Sequence, residues 1–194
     1  MSIRITIACE DHTLDQYVAR PVLSSLLAYL SRPRADVRAI TSPRIQGISD
    51  LKAQLCAILE RYSVFSNLVV FVIDGDCEDG RSGKLDRHVL FQRLASKCDD
   101  GEQAVIVVAR QELEVWALWG SRSKLGVPWG DVVDECHPKE RFFEPLVTPA
   151  DRKMPGRGRQ RLIALSLDQG WQSLCSGCPE LKGLEDQVRT KLGL

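Results

Sequence analysis

Two aspartates directly follow a buried strand pattern in the middle of the chain. The apolar run 68–73 (LVVFVI) leads into Asp74, Gly75 and Asp76. The glycine between the two acids lets the backbone turn as the strand ends. Carboxylate oxygens are the ligands that Mg²⁺ and Mn²⁺ prefer in proteins. This spacing therefore indicates a place where a hard divalent cation could be held.

Acids also follow two further strand patterns. Glu10 and Asp11 come after the alternating segment IRITIAC, and the apolar run 104–109 (AVIVVA) leads to Glu112 and Glu114. Ligands of open α/β sheets collect beyond the carboxyl ends of parallel strands, so we expect these acids to share one edge. Like charges gathered there are costly unless a cation neutralises them. One or two Mg²⁺ or Mn²⁺ ions at that edge could activate water and stabilise the leaving oxygen of a phosphodiester.

For any single acid the common alternative is a helix cap or a solvated loop residue. Thr13 or Asp15, for example, could cap the first helix. The coincidence of three strand ends favours the functional interpretation.

The elements that position these acids alternate between strands and helices. Continuous apolar strands separated by amphipathic segments are typical of a mostly parallel sheet covered by helices on both faces. The pattern predicts strands at 3–8, 37–40, 68–73 and 104–109, and helices at 14–30, 51–62, 84–97 and from 111. Pro21 within the first helix predicts a kink or a later start. Beyond residue 120, prolines break the pattern into short helices and loops, and a final helical region begins near 162.

Composition narrows the class of protein. The 194 residues fit one domain, and 26 basic residues cancel 26 acidic ones, so any basic surface must be local. No apolar segment approaches the roughly 20 residues that span a bilayer, and the N-terminus lacks the layout of a signal peptide. Seven scattered cysteines favour reduced thiols. We therefore expect a cytoplasmic protein without membrane association.

Basic residues cluster in two places that could serve nucleic-acid binding. Arg81 and Lys84 follow the acidic loop, and five more lie between 152 and 161: Arg152, Lys153, Arg157, Arg159 and Arg161. Cations around a metal site would hold a phosphate backbone. The alternative for the second cluster is a solvated, flexible loop, and the sequence leaves both open.

Four other known motifs match the sequence less well than a divalent-cation site does. The acidic loop 74–80 lacks the glycine and glutamate that an EF-hand needs at its sixth and twelfth positions. The stretch 80–84 (GRSGK) lacks the first glycine and the final Ser or Thr of a P-loop. An aspartyl phosphatase would carry its nucleophile after the first strand, where Glu10 stands. Cys175 and Cys178 form a lone C-x-x-C pair, and ordinary thiols are the simpler interpretation.

The order of strand-Glu, helix, strand-Asp-x-Asp and a later Glu resembles the Toprim domain of topoisomerases, bacterial primases and the overcoming-lysogenization-defect nucleases. The segment 109–116 (ARQELEVW) is similar to a stretch of bacterial Toprim-like proteins, the domain-of-unknown-function group numbered 4276. The stretches 137–140 (HPKE) and 178–181 (CPEL) resemble later landmarks of that group. The chain departs from the usual Toprim turn, Glu-Gly, because Asp11 follows Glu10.

The resemblance implies a Toprim-like (Rossmann-like) α/β core over residues 1–120, with an irregular helical extension, 121–194, packed on it. It implies that Glu10, Asp74 and Asp76 are catalytic residues and metal ligands in a Mg²⁺- or Mn²⁺-dependent nuclease. Glu114 would be the ligand from the third acid-bearing strand, with Glu112 as its alternate.

Relatives of this kind often lie beside an ATPase in phage-defence or mobile-element loci. The resemblance therefore implies an ATPase partner and a DNA or RNA substrate. The second hypothesis is a non-catalytic Toprim-like interaction module that binds a protein partner or nucleic acid. A toxin acting on RNA lies between the two, and association into a homo-oligomer is left open.

Overall fold

The computed structural model describes residues 3–75, 77 and 86–194. Within this part, four strands form one sheet: β1 (Arg4–Cys9), β2 (Asp36–Ala39), β3 (Leu68–Ile73) and β4 (Ala104–Val108). All of their pairings are parallel, and their order is β2-β1-β3-β4. The predicted α/β class is confirmed, and each strand lies close to its predicted position.

The helices divide into a sheet-flanking set and a C-terminal set. The first set is α1 (Gln16–Tyr29), α2 (Ile48–Ser63) and α3 (Arg87–Ala95). The second set is α4 (Glu114–Leu118), α5 (Trp129–Val133), α6 (Pro149–Arg152), α7 (Arg159–Leu167), α8 (Trp171–Gly177) and α9 (Glu180–Leu192). Short 3₁₀ and π-helical turns connect several of them. None of the described helices is long and apolar enough to cross a membrane.

Several helix bounds differ from their predictions. The first helix begins at Gln16, two residues later than predicted, and Pro21 lies inside it. The third helix begins at Arg87, where the side chain of Asp86 accepts a hydrogen bond from the His88 N–H at 2.7 Å. This N-cap satisfies one of the backbone donors that the first turn of a helix leaves unpaired.

The two faces of the sheet bury separate apolar clusters, because side chains alternate along each strand. One face contributes Ile7, Val70 and Val107 to a cluster with α1 and the C-terminal helices. The other contributes Phe71 and Ile106 to a cluster with α2 and α3. Every side chain of β3 is buried, as expected for a central strand of a doubly covered sheet.

The C-terminal helices share the core of the sheet layer. Trp116 is fully buried, and its Nε1–H donates to Glu180 Oε1 at 2.7 Å. Ser166 on α7 accepts a hydrogen bond from the Gly120 N–H at 2.9 Å. The apolar cluster on this face is therefore continuous across residue 120.

Four of the seven cysteines are paired. Disulfides join Cys56 to Cys98 and Cys77 to Cys136. The expectation of reduced thiols was wrong for these four, because residues distant in the sequence meet only in the folded chain. Cys9, Cys175 and Cys178 are free thiols.

Helix α9 covers the outer edge of β4 with a side-chain amide. Gln187 Nε2 donates to the Ile106 carbonyl at 2.9 Å, and its Oε1 accepts from the Ile106 N–H at 3.2 Å. The amide thus replaces a neighbouring strand at that position. An open strand edge is a template for pairing with another chain, so this contact protects the sheet.

We predict that Gln187→Leu lowers the free energy of unfolding by about 1 kcal/mol, because the N–H and the carbonyl of Ile106 each lose their hydrogen-bond partner. The exposed edge should also increase self-association. Urea denaturation and light scattering at several protein concentrations measure the two effects. Gln172→Leu, on an exposed face of α8, is the matched control. Equal losses in both variants would contradict the protective role of Gln187.

Candidate functional site

The strand order places two of the predicted acids at the switch point of the sheet. The chain runs from β1 to β2 on one side and reaches β3 on the other side of β1. Ligands of open α/β sheets bind in the crevice outside the carboxyl ends of such strands. Glu10 follows β1 and Asp74 follows β3. The two acids therefore lie where this class of fold has its ligand crevice.

Glu10 and Asp74 are in direct contact. The Asp74 N–H donates to Glu10 Oε1 at 3.1 Å. Arg87, the first residue of α3, donates from Nη1 to Glu10 Oε1 at 3.4 Å and to the Asp74 carbonyl at 2.6 Å. The Glu10 side chain is 16% exposed and that of Arg87 is 10% exposed. A carboxylate and a guanidinium thus tie together the ends of the two central strands.

The turn after β3 is fixed against the loop after β4. Asp74 Oδ1 accepts a hydrogen bond from the Leu113 N–H at 2.8 Å. The Gly75 N–H donates to the Gln111 carbonyl at 2.7 Å. A Cβ at Gly75 would lie 2.3 Å from the Arg110 carbonyl oxygen, so no larger residue fits. The glycine is required by this close backbone approach as well as by the turn.

A cavity of about 230 Å³ opens at this edge of the sheet. Its lining is dominated by charge: Glu10, Asp11, Asp15, Asp74, Glu112 and Glu114, together with Lys139 and Arg159. Acids from the ends of β1, β3 and β4 thus meet at one cavity. We call this the acidic cavity.

Asp15 is a member of the acidic cavity that the sequence analysis considered only as a helix cap. It is buried, and its Oδ2 accepts a hydrogen bond from the Asp11 N–H at 2.9 Å. Burial raises the pKa of Asp15 to about 7; the charges of Glu114 and Asp11 add to the rise, and Arg159 opposes it. The available signal was its position, at the start of the helix that leaves the carboxyl end of β1.

Two other carboxyl groups of the acidic cavity also resist ionisation. Burial raises the pKa of Asp74 well above its ordinary value, and the charges of Asp15, Glu114 and Glu10 raise it further. The pKa of Glu112 is raised by burial and by Glu114, although its Oε2 accepts from the Lys139 N–H at 2.9 Å. Clustered like charges disfavour the ionised form, and a bound cation would reverse the effect.

Asp11 has a different role from the other acids. It is exposed, and its Oδ1 accepts hydrogen bonds from the Thr13 N–H at 2.8 Å and the Leu14 N–H at 3.3 Å. Burial works against ionisation, but these bonds lower the pKa of Asp11 overall. The carboxylate is therefore engaged in forming the turn that leads into α1.

Glu114 and Arg159 form a buried ion pair on the inner wall of the acidic cavity. Arg159 Nη2 donates to Glu114 Oε1, and each side chain is 5% exposed. Arg159 Nε is buried and has no hydrogen-bond partner within the described part of the chain. Glu114 was predicted as a metal ligand and Arg159 as a nucleic-acid contact; in the structure the two side chains are buried against each other.

The remaining basic residues of the second cluster divide into two groups. Arg152, Lys153 and Arg157 are exposed. Arg161 instead binds the Asp151 carboxylate, at 3.1 Å from its Nε and 2.8 Å from its Nη2. These hydrogen bonds hold the pKa of Asp151 well below its usual range. Three residues of the cluster are therefore available at the surface.

Three predicted site residues, Asp76, Arg81 and Lys84, lie outside the described residues. Within residues 3–75, 77 and 86–194, no three His, Cys, Asp or Glu side chains are close enough to hold a metal ion. The chemistry of the donors nevertheless fits Mg²⁺ or Mn²⁺, because Glu10 and Asp74 offer hard oxygens. Burial, and after it the charges of Asp15, Glu114 and Glu10, raises the pKa of Asp74, and a bound cation would favour its ionised form. The described chain would thus supply two ligands.

The parallel order β2-β1-β3-β4 with flanking helices is consistent with a Rossmann-like or Toprim-like fold. Comparisons with protein-family models, curated proteins and solved structures found no match. The α/β class follows from the topology, and the Toprim family stays a hypothesis.

We predict that Asp15→Asn flattens the pH dependence of stability. The folded-state pKa of about 7 exceeds the ordinary 3.8, so the folded chain binds the extra proton between these values. Asp15 therefore stabilises the fold most at low pH and loses this contribution as the pH rises to about 7. Between pH 5 and 8 the variant should gain about 2 kcal/mol relative to the wild type.

Urea denaturation in EDTA across that pH range measures the difference. Asn keeps the oxygen that accepts from the Asp11 N–H, so only the charge is removed. Asp99→Asn, at an exposed site beyond α3, is the control and should follow the wild type. Parallel profiles for Asp15→Asn and wild type would show that Asp15 ionises normally.

Proposed function

We propose that the protein is a Toprim-like nuclease that uses Mg²⁺ or Mn²⁺ to cleave nucleic-acid phosphodiesters. The observation that carries the proposal is the contact between Glu10 and Asp74 at the switch point of the sheet. Two acids 64 residues apart are joined there, beside four further acids of one cavity. Such an arrangement is unfavourable without compensating cations, and it offers the oxygens that hard cations prefer.

In this proposal Glu10 and Asp74 are metal ligands, and Asp76, two residues further on, completes the set. The metal, when bound, would supply a nucleophilic water and neutralise charge on the phosphate. The Leu113 N–H orients the Asp74 carboxylate through Oδ1. Outer hydrogen bonds of this kind fix ligand direction and tune affinity. At the third strand end Glu112, whose Oε2 accepts from the Lys139 N–H, would be the alternate ligand, because Glu114 pairs with Arg159.

The exposed basic residues would hold the substrate. Arg152, Lys153 and Arg157 precede Arg159, which lines the acidic cavity. A phosphate backbone lying along this stretch would thus approach the carboxyl edge of the sheet. DNA and RNA both remain candidate substrates. An ATPase partner and a role in phage defence or a mobile element belong to the same proposal through the family resemblance. A homo-oligomeric state and a cytoplasmic location stay predictions made from the sequence.

One observation favours the second candidate, a non-catalytic interaction module. Glu10 already contacts Arg87, and Glu114 already contacts Arg159. Two acids of the site thus have cationic partners without any metal. If the chain binds no Mn²⁺ at millimolar concentration, the interaction module is the better account.

We predict that Glu10→Gln and Asp74→Asn each weaken Mn²⁺ binding by about tenfold or more, the equivalent of about 1.4 kcal/mol. Cleavage of plasmid, single-stranded DNA or transfer RNA should fall by about 100-fold or more, because charge stabilisation at the phosphate is lost. Calorimetry and gel assays measure the two effects. Asp99→Asn is the matched control and should behave as the wild type. Cleavage that persists unchanged in Asp74→Asn would defeat the assignment.

We also predict that the triple variant Arg152→Ala, Lys153→Ala, Arg157→Ala binds nucleic acid more weakly. Affinity falls as salt rises, and each lost phosphate contact makes this negative slope of log affinity against log salt shallower, by about 0.9 on duplex DNA and about 0.7 on single strands. Fluorescence anisotropy at several salt concentrations gives both quantities. The matched control neutralises three exposed cations that precede the amino ends of β2 and β4, away from the acidic cavity: Arg32, Arg34 and Lys97. Equal salt slopes for the two triple variants would exclude the proposed substrate path.

A further inference from the structure

The Glu114–Arg159 ion pair brings a fixed positive charge into the acidic cavity. The guanidinium carbon of Arg159 lies 5.4 Å from the centroid of the Phe143 ring, which covers it. Arg159 is the first residue of α7 and follows Gly158, whose φ of 90° is in the left-handed region. The buried residues Leu162 and Ile163 anchor α7 in the core. The position of the charge is therefore set by the fold.

The ion pair engages the Glu114 carboxylate, which belongs to one of the three acid-bearing strand ends. A site for two divalent ions would need carboxylates from all three acid-bearing strands to face the ions. Glu114, at the end that follows β4, directs Oε1 to Arg159 instead. An ion that replaced the guanidinium at Glu114 would leave the buried charge of Arg159 without its partner, which is strongly destabilising. Glu10 also has a guanidinium partner, Arg87, but that contact is 3.4 Å long and both side chains are more exposed than those of the Glu114–Arg159 pair. The Glu10–Asp74 contact is therefore the place for an ion.

A second observation points to a ligand at Arg159 itself. Its Nε–H is buried and has no acceptor among the residues that the structure describes. Buried donors without a partner are rare in folded proteins and often mark a site that a bound ion, water or ligand completes. Arginine also presents its donors in a fork that matches two oxygens of a phosphate.

We propose that Arg159 takes the place of a second divalent ion, so that the acidic cavity holds one ion beside Glu10 and Asp74 and Arg159 donates to a phosphate oxygen of the substrate. This inference rests on the proposed nuclease function. Arg159 would keep its Nη2 contact with Glu114 and use a further N–H for the phosphodiester. Arginine is suited to both roles because it stays charged and donates from several N–H groups at once.

Metal stoichiometry is the first test, measured by calorimetry and by electron paramagnetic resonance with Mn²⁺ alone. The wild type should bind one ion per chain. Glu114→Gln should also bind one ion, within about threefold of the wild-type affinity, because Glu114 is not a ligand. Two ions in the wild type and one in Glu114→Gln would overturn the inference and leave the nuclease proposal standing. No ion in the wild type would overturn the nuclease proposal itself.

Phosphate binding is the second test, measured by anisotropy of a short labelled oligonucleotide in Ca²⁺, with thermal unfolding to verify the fold. Arg159→Lys keeps the charge and loses the fork of N–H donors. It should bind one Mn²⁺ per chain but lower oligonucleotide affinity by about fivefold or more. Arg34→Lys, at an exposed position outside the proposed substrate path, is the matched control and should change affinity little. Wild-type affinity in Arg159→Lys would show that Arg159 only balances Glu114.

Discussion

The contact between the Asp74 N–H and the Glu10 carboxylate is the constraint on which the rest of the site depends. It holds the ends of β1 and β3 together at the place where negative charge is most concentrated. Two unit charges 4 Å apart repel by about 4 kcal/mol at an effective dielectric constant of 20, so such a cluster requires compensation. Arg87 and Arg159 provide it as side chains. The N-termini of α1, α4 and α7, which begin at Gln16, Glu114 and Arg159, add partial positive charge.

Much of the fold could be read from local patterns, because the period of apolar residues reports which faces are buried. The runs LVVFVI and AVIVVA have no polar face, and both became strands covered on two sides. The order of the strands could not be read in this way. It depends on which strand edges meet, and that is decided by contacts between residues far apart in the sequence. The convergence of Glu10, Asp74, Glu112 and Glu114 on one cavity was expected once parallel pairing was assumed.

Which residues of the basic stretch 152–161 are exposed and which are buried could not be predicted from its composition. Residues 152–161 look like one charged loop, yet Gly158 turns the chain and α7 begins at the next residue. Arg157 is therefore exposed, whereas Arg159 is buried against Glu114. The burial of Asp15 and the cysteine pairings have the same origin. Each depends on how the C-terminal helices or distant loops pack, and no local spacing encodes that packing.

The acids and two of the cations of the acidic cavity come from different parts of the chain. All six acids of the cavity precede residue 120, whereas Lys139 and Arg159 come from the helical part that follows. A shortened chain that stopped after α4 would keep every acid and lose both of these cations. The sheet layer would then keep Arg87 as the partner of Glu10 but lose the cationic partner of Glu114. The helical part is thus a structural component of the cavity.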